Sequence, residues 1–102
     1  MNTAQQQELQ DLAKIFKALS HPIRLKITCG LVKKETCNVN TMAERLGLPQ
    51  PSVSQHLNVL KAAGIIEGCR KANQICYKVQ SEAVKKFIKN LSMDFCLKVE
   101  EK

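Results

Sequence analysis

Between residues 40 and 79 the chain changes its hydrophobic period twice without a linker, and this run limits the fold more than any other feature. Asn40 reads as the N-cap of a short helix over residues 41–46 that stops at Gly47. The tight turn Leu48-Pro49-Gln50 leads into a second helix over residues 51–63, closed by Gly64. Two strand-like runs follow, residues 65–70 and 75–79, joined through Lys71-Ala72-Asn73-Gln74, where Asn73 is the residue suited to positive φ. A hairpin turning on Ala72-Asn73 sets Lys71 opposite Gln74 and Cys69 opposite Cys76. Two short helices, a glycine-containing turn and a basic hairpin make up a winged helix-turn-helix, a mainly α fold with a β-hairpin wing (α+β).

The flanks supply three more helices, five in all. Leu9, Leu12, Ala13, Phe16 and Leu19 recur at helical spacing over residues 5–19, opposite Gln6, Gln7, Glu8, Asp11 and Lys14. Ser20 is the expected cap of the next helix, which has Pro22 in its first turn and runs to about Lys34. Ile23, Ile27 and Leu31 lie on one side of it and Leu25, Cys29 and Val32 on the other, which places it mid-domain. Ser81 caps a last helix whose stripe is Val84, Phe87, Ile88, Leu91 and Phe95. At 102 residues there is room for one core, so residues 1–102 read as a single domain.

Charge points to the partner. Sixteen Lys and Arg against nine Asp and Glu give +7, and a symmetric pair of subunits would bring about +14 to a polyanion. Nothing approaches the roughly 20 apolar residues that span a bilayer, and the polar start lacks an apolar signal region, so a cytoplasmic protein without membrane contact is expected. In the helix over residues 51–63, Val53, Leu57 and Leu60 point one way. Ser52, Ser54, Gln55 and Asn58 lie toward the outside, flanked by Gln50 and His56. These hydrogen-bonding side chains suit base edges and phosphates in the major groove of double-stranded DNA, although an ordinary solvated face has the same composition. Arg70, Lys71, Asn73 and Gln74 cluster at the hairpin tip, where a wing meets the backbone or minor groove, or where basic residues simply solubilise.

Longer stretches carry a family resemblance: Leu19-Ser20-His21-Pro22-Ile23-Arg24-Leu25, Met42-Ala43-Glu44-Arg45-Leu46-Gly47-Leu48, Pro51-Ser52-Val53-Ser54-Gln55-His56-Leu57 and Leu60-Lys61-Ala62-Ala63-Gly64-Ile65. Together they resemble the ArsR/SmtB family of bacterial repressors over nearly the whole chain. The resemblance implies a homodimer joined through its first and last helices, major-groove contacts from Ser52, Ser54, Gln55 and His56, wing contacts from Arg70 and Lys71, and release by an inducer.

Five cysteines in a reducing compartment read as free thiols for metal or redox work, or as small buried hydrophobes. The family's soft-metal sensors place Cys-x-Cys at the start of the third helix, whereas this chain has Cys37 followed by Val39 at the second position. Its zinc sensors use His on the last helix, and residues 81–102 contain none. The contexts of Cys29 and Cys96 resemble the reactive-sulfur and redox-sensing branch, which implies a dithiol answering persulfides, polysulfides or other thiol-reactive inducers. At about 100° per residue, Cys96 sits roughly 120° from the centre of the last helix's stripe, so core filling does not explain it. Cys29 shares a side with Leu25 and Val32 and also reads as a core thiol. An arsenite or soft-metal site from Cys37 with Cys69 or Cys76 is the alternative; no resident cofactor is expected. A thiol enzyme fits poorly, since there is no Cys-x-x-Cys and no glycine-rich cofactor loop.

Overall fold

Apolar stripes on short helices bury themselves only against one another, and the fold follows from that need. The computed structural model describes residues 2–34 and 36–91, as helices α1 (Thr3–Leu19), α2 (Pro22–Lys34), α3 (Val39–Leu46), α4 (Gln50–Ala62) and α5 (Glu82–Asn90), with strands β1 (Cys37–Asn38), β2 (Ile66–Lys71) and β3 (Gln74–Val79). The strands form an antiparallel sheet in the order β1-β3-β2.

α2 lies in the middle, packed against α1, α4, α5 and β3. Its Ile27, Cys29 and Leu31 join Val53, Leu57 and Leu60 of α4, Ile65 and Ile66 of the wing base, and Val84 and Ile88 of α5 in one core. Buried Thr28 returns its hydroxyl to the Arg24 carbonyl at 2.9 Å, so it enters the core without an unmet donor. Among the described residues no helix is long and apolar enough to cross a membrane.

Several helix ends differ from expectation. α1 begins at Thr3 rather than near residue 5, because Asn2 and Gln5 cap each other: the Gln5 N–H donates to Asn2 Oδ1 (2.8 Å) and the Asn2 N–H to Gln5 Oε1 (3.1 Å). Ser20 does not cap α2; its hydroxyl donates to the Lys17 carbonyl at 2.8 Å and closes α1. α2 is opened by His21, whose Nδ1 accepts the Ile23 N–H at 3.1 Å. Pro22 has no N–H to offer, so Ile23 is the first donor that needs a partner.

Asn40 likewise yields the cap of α3 to Asn38, whose Oδ1 accepts the Thr41 N–H at 2.8 Å. Pairing of Cys37 and Asn38 with β3 fixes where the extended chain ends and the helix begins. Gly47 stops α3 in the left-handed region, at φ 67°, where a side chain would be strained. At the wing tip the positive φ belongs to Ala72 (54°), not Asn73. A two-residue turn with only its first central residue in that region follows the strand twist as a II′ turn does. α5 ends at Asn90 with Leu91 in an extended conformation, and Phe95 and Cys96 lie outside the described residues.

Candidate nucleic-acid interface

α4 is seated by three residues at helical spacing, Val53, Leu57 and Leu60, all at or below 1% exposure. With that face fixed, Gln55 and Asn58 are exposed, and Ser52 and Ser54 are half-buried at the margins. Pro49 holds the N-cap position of α4 and offers no side-chain cap, and the Ser52 and Val53 N–H groups reach back to its carbonyl at 3.1 and 3.2 Å. Pro51 contributes no donor. The positive end of the helix dipole is thus presented to solvent beside Gln50, where an anion is favoured.

Two side chains named from sequence turn out to be tied to the scaffold. Gln50 Nε2 donates to Asn40 Oδ1 at 2.7 Å, fastening the start of α4 to the start of α3. His56 is half-buried, with its ring 4.6 Å from that of His21. Burial, followed by the nearby His21 and Arg24, holds the His56 imidazole below its ordinary pKa. Near neutrality it is therefore uncharged and supports the junction of α4 with α2. Sequence reasoning missed His21 and Asn40 as the partners of these two side chains; the pair Asn38 and Asn40 is a local hint, since either can cap.

The wing projects beyond the core, with Arg70, Lys71, Asn73 and Gln74 all exposed. A Cβ at Gly68 would meet the Tyr77 and Ile75 side chains at 3.4 Å, the close end of ordinary contact, so these two side chains pack across β2 at that point. Gln74 accepts from Asn38 Nδ2 at 3.1 Å, so the wing is tied to the cap of α3. The helix-turn-helix and the wing are braced as one surface.

The thiols divide by strand register. Cys69 stands opposite Cys76, while Cys37 stands opposite Tyr77 and Asn38 opposite Cys76. Opposed residues share a face of a sheet and neighbours alternate, so Cys37 lies on the other face from Cys69 and Cys76, and the alternative site joining it to either is not assembled. Among the described residues no group of three or more His, Cys, Asp or Glu could hold a metal ion. Cys29 is 2% exposed in the core; Cys96 lies outside the described residues.

A second surface is apolar. Leu9 (51% exposed), Leu12 (44%) and Phe16 (50%) of α1 stand in solvent, and Phe87 of α5 (41%) meets Phe16 edge to face at 5.9 Å.

A helix-turn-helix domain model matches residues 19–69. The biofilm growth-associated repressor of Xylella fastidiosa is 36% identical over 86 residues, 84% of this chain and 75% of that protein. The transcriptional repressor SmtB of Mycobacterium tuberculosis is 38% identical over 73 residues, 71% of this chain and 53% of that protein. The chain belongs to the ArsR/SmtB family of winged helix-turn-helix repressors. The reduced HlyU structure from Vibrio cholerae N16961 has a TM-score of 0.81 at 27% identity and covers 93% of this chain and 99% of that one. As an ArsR/SmtB member the chain is a DNA-binding transcriptional repressor and not an enzyme.

Proposed function

We propose that this repressor binds a two-fold symmetric operator as a homodimer, with α4 in the major groove and the wing tip on the backbone or adjacent minor groove, and that a Cys29/Cys96 dithiol sets its affinity. The observation that carries the DNA reading is the division of α4: Val53, Leu57 and Leu60 are sunk in the core while Gln55 and Asn58 stand in solvent at an uncapped helix start. The exposed row Leu9, Leu12 and Phe16, joined to Phe87, supports pairing through α1 and α5, because a contiguous apolar face of this kind is covered in a soluble protein.

Support for the switch is narrower. Cys29 sits in the same core cluster as Val84 and Ile88 of α5, the helix that leads toward Cys96, and the related HlyU has been solved in a form described as reduced. In this reading Cys96 attacks a polysulfide and takes its outer sulfur, releasing the shortened polysulfide anion. Cys29, 2% exposed, is the resolving thiol: its thiolate displaces hydrosulfide from the Cys96 persulfide and closes the disulfide. A bridge between α2 and the chain beyond α5 shifts the spacing of the two reading helices, which must match half-sites about 34 Å apart. Coupling of about 1–3 kcal/mol corresponds to a change in affinity of roughly 5- to 150-fold.

The test selects a duplex from a random pool and then measures its binding before and after polysulfide treatment, with Cys29→Ser and Cys96→Ser alongside. The expected result is a selected palindrome, weaker binding after treatment, and no response in either variant. A response surviving both substitutions removes the dithiol, and failure to enrich any duplex at low salt removes the operator reading.

A further inference from the structure

We propose that Cys69 and Cys76 form a redox site inside the wing, a cross-strand thiol pair that closes to a disulfide by exchange with a small anionic disulfide of the glutathione class. The site is separate from Cys29 and Cys96 and needs neither of them.

Three observations carry it. First, the register of β2 and β3 sets Cys69 directly opposite Cys76, on one face of the hairpin. Directly opposed residues in an antiparallel ladder have Cα atoms about 4.5–5.5 Å apart, inside the roughly 4.4–6.8 Å that a disulfide spans. Second, the two thiols differ in access: Cys69 is half-buried, whereas Cys76 is 8% exposed. One can meet a reagent and the other is held behind it to resolve the adduct. Third, exposed Lys71 shares the face of the pair, two residues on from Cys69, and with exposed Arg70 beside it on the other face it makes the wing tip positive, which draws an anionic reagent toward the thiols.

The Cys69 thiolate attacks one sulfur of the small disulfide, the S–S bond breaks, and one thiolate leaves, giving a mixed disulfide on Cys69. Cys76, having lost its proton to solvent, attacks the Cys69 sulfur and displaces the second thiolate. The two protein thiols are oxidised by two electrons, and one small disulfide is reduced to two thiols.

Its consequence lies in what shares that rung. Asn38 stands opposite Cys76 on the other side, and its side chain both caps α3 through Thr41 and donates to Gln74. A bridge at Cys76 therefore fixes the wing at the level where it joins the helix-turn-helix.

The sequence provides the assay. Trypsin cuts after Lys61, Arg70, Lys71 and Lys78, so Cys69 and Cys76 fall in separate peptides, residues 62–70 and 72–78. Full-length protein is treated with oxidised glutathione, alkylated, digested and mapped by mass spectrometry. The two peptides joined to each other are expected in about tenfold excess over the 62–70 peptide carrying glutathione, because the second thiol acts at high effective concentration. In Cys76→Ser the glutathione adduct on Cys69 should persist. A wild-type protein that accumulates the Cys69 adduct, or that links Cys69 to Cys29, Cys37 or Cys96, overturns the proposal. The wild-type map decides even if the variant folds poorly, and no DNA is present, so failure of the operator reading leaves the result intact.

Discussion

The rings of His21 and His56 lie 4.6 Å apart, centroid to centroid, inclined at 50°. The first also opens α2 by accepting the Ile23 N–H, and the second belongs to the DNA-facing helix. The junction between scaffold and reading head is thus built on two imidazole rings, with Arg24 close enough to oppose a charge on His56.

A pH dependence follows. The folded-state pKa of His56 is lowered below the ordinary 6.5, so the unfolded chain binds the proton more readily. This contribution to stability is present above about pH 6.5 and is lost as pH falls through the lower, folded value. Urea midpoints at pH 7.5 and 5.5 should show the decline in the wild type and a smaller decline in His56→Gln. An equal decline in both contradicts the assignment.

The two sides of α4 should separate stability from recognition. Leu57→Ala leaves a cavity beside Val53 and Leu60 and should cost about 2–5 kcal/mol of unfolding free energy. Gln55→Ala, on the exposed side, should change stability by no more than about 0.5 kcal/mol and weaken selected-duplex binding by about 1–3 kcal/mol. Denaturant titration and a binding isotherm read the two quantities independently.

Ala72 holds a φ of 54°, in the region where a Cβ is unfavourable. Ala72→Gly should stabilise the protein by about 1 kcal/mol, with slower amide exchange across β2 and β3. Ala72→Val should act in the opposite direction, and matching exchange in all three proteins rules out the turn geometry.

Phe16 tests the apolar face. Phe16→Asp removes the edge-to-face contact with Phe87 and places charge among Leu9 and Leu12, half of whose surface is in solvent within one chain. Sedimentation should show a dimer for the wild type and a monomer for the variant, with helical content retained. A wild-type monomer at tens of micromolar excludes pairing through this face.

Much of this was readable along the chain. The 3.6-residue recurrence of Val53, Leu57 and Leu60 and of Val84 and Ile88, the stop at Gly47 and the hairpin with Lys71 facing Gln74 are written in neighbouring residues. Each depends on local periodicity or on one backbone conformation, and such signals survive without knowledge of the rest of the molecule.

Other features come from contacts between distant segments. β1 has two residues, too few to show alternation, and exists because β3 offers Cys37 and Asn38 an open edge. That pairing moves the cap of α3 from Asn40 to Asn38 and frees Asn40 to hold Gln50. It also puts Cys37 on the opposite face of the sheet from Cys69 and Cys76, a separation that spacing along the chain cannot express. His56 turns toward His21 for the same reason: a helical wheel gives the direction of a side chain, but the neighbour it meets depends on how two helices cross. Hydrogen bonds and burial between remote residues are energies of the assembled fold, so they choose among local options that the chain leaves nearly equal.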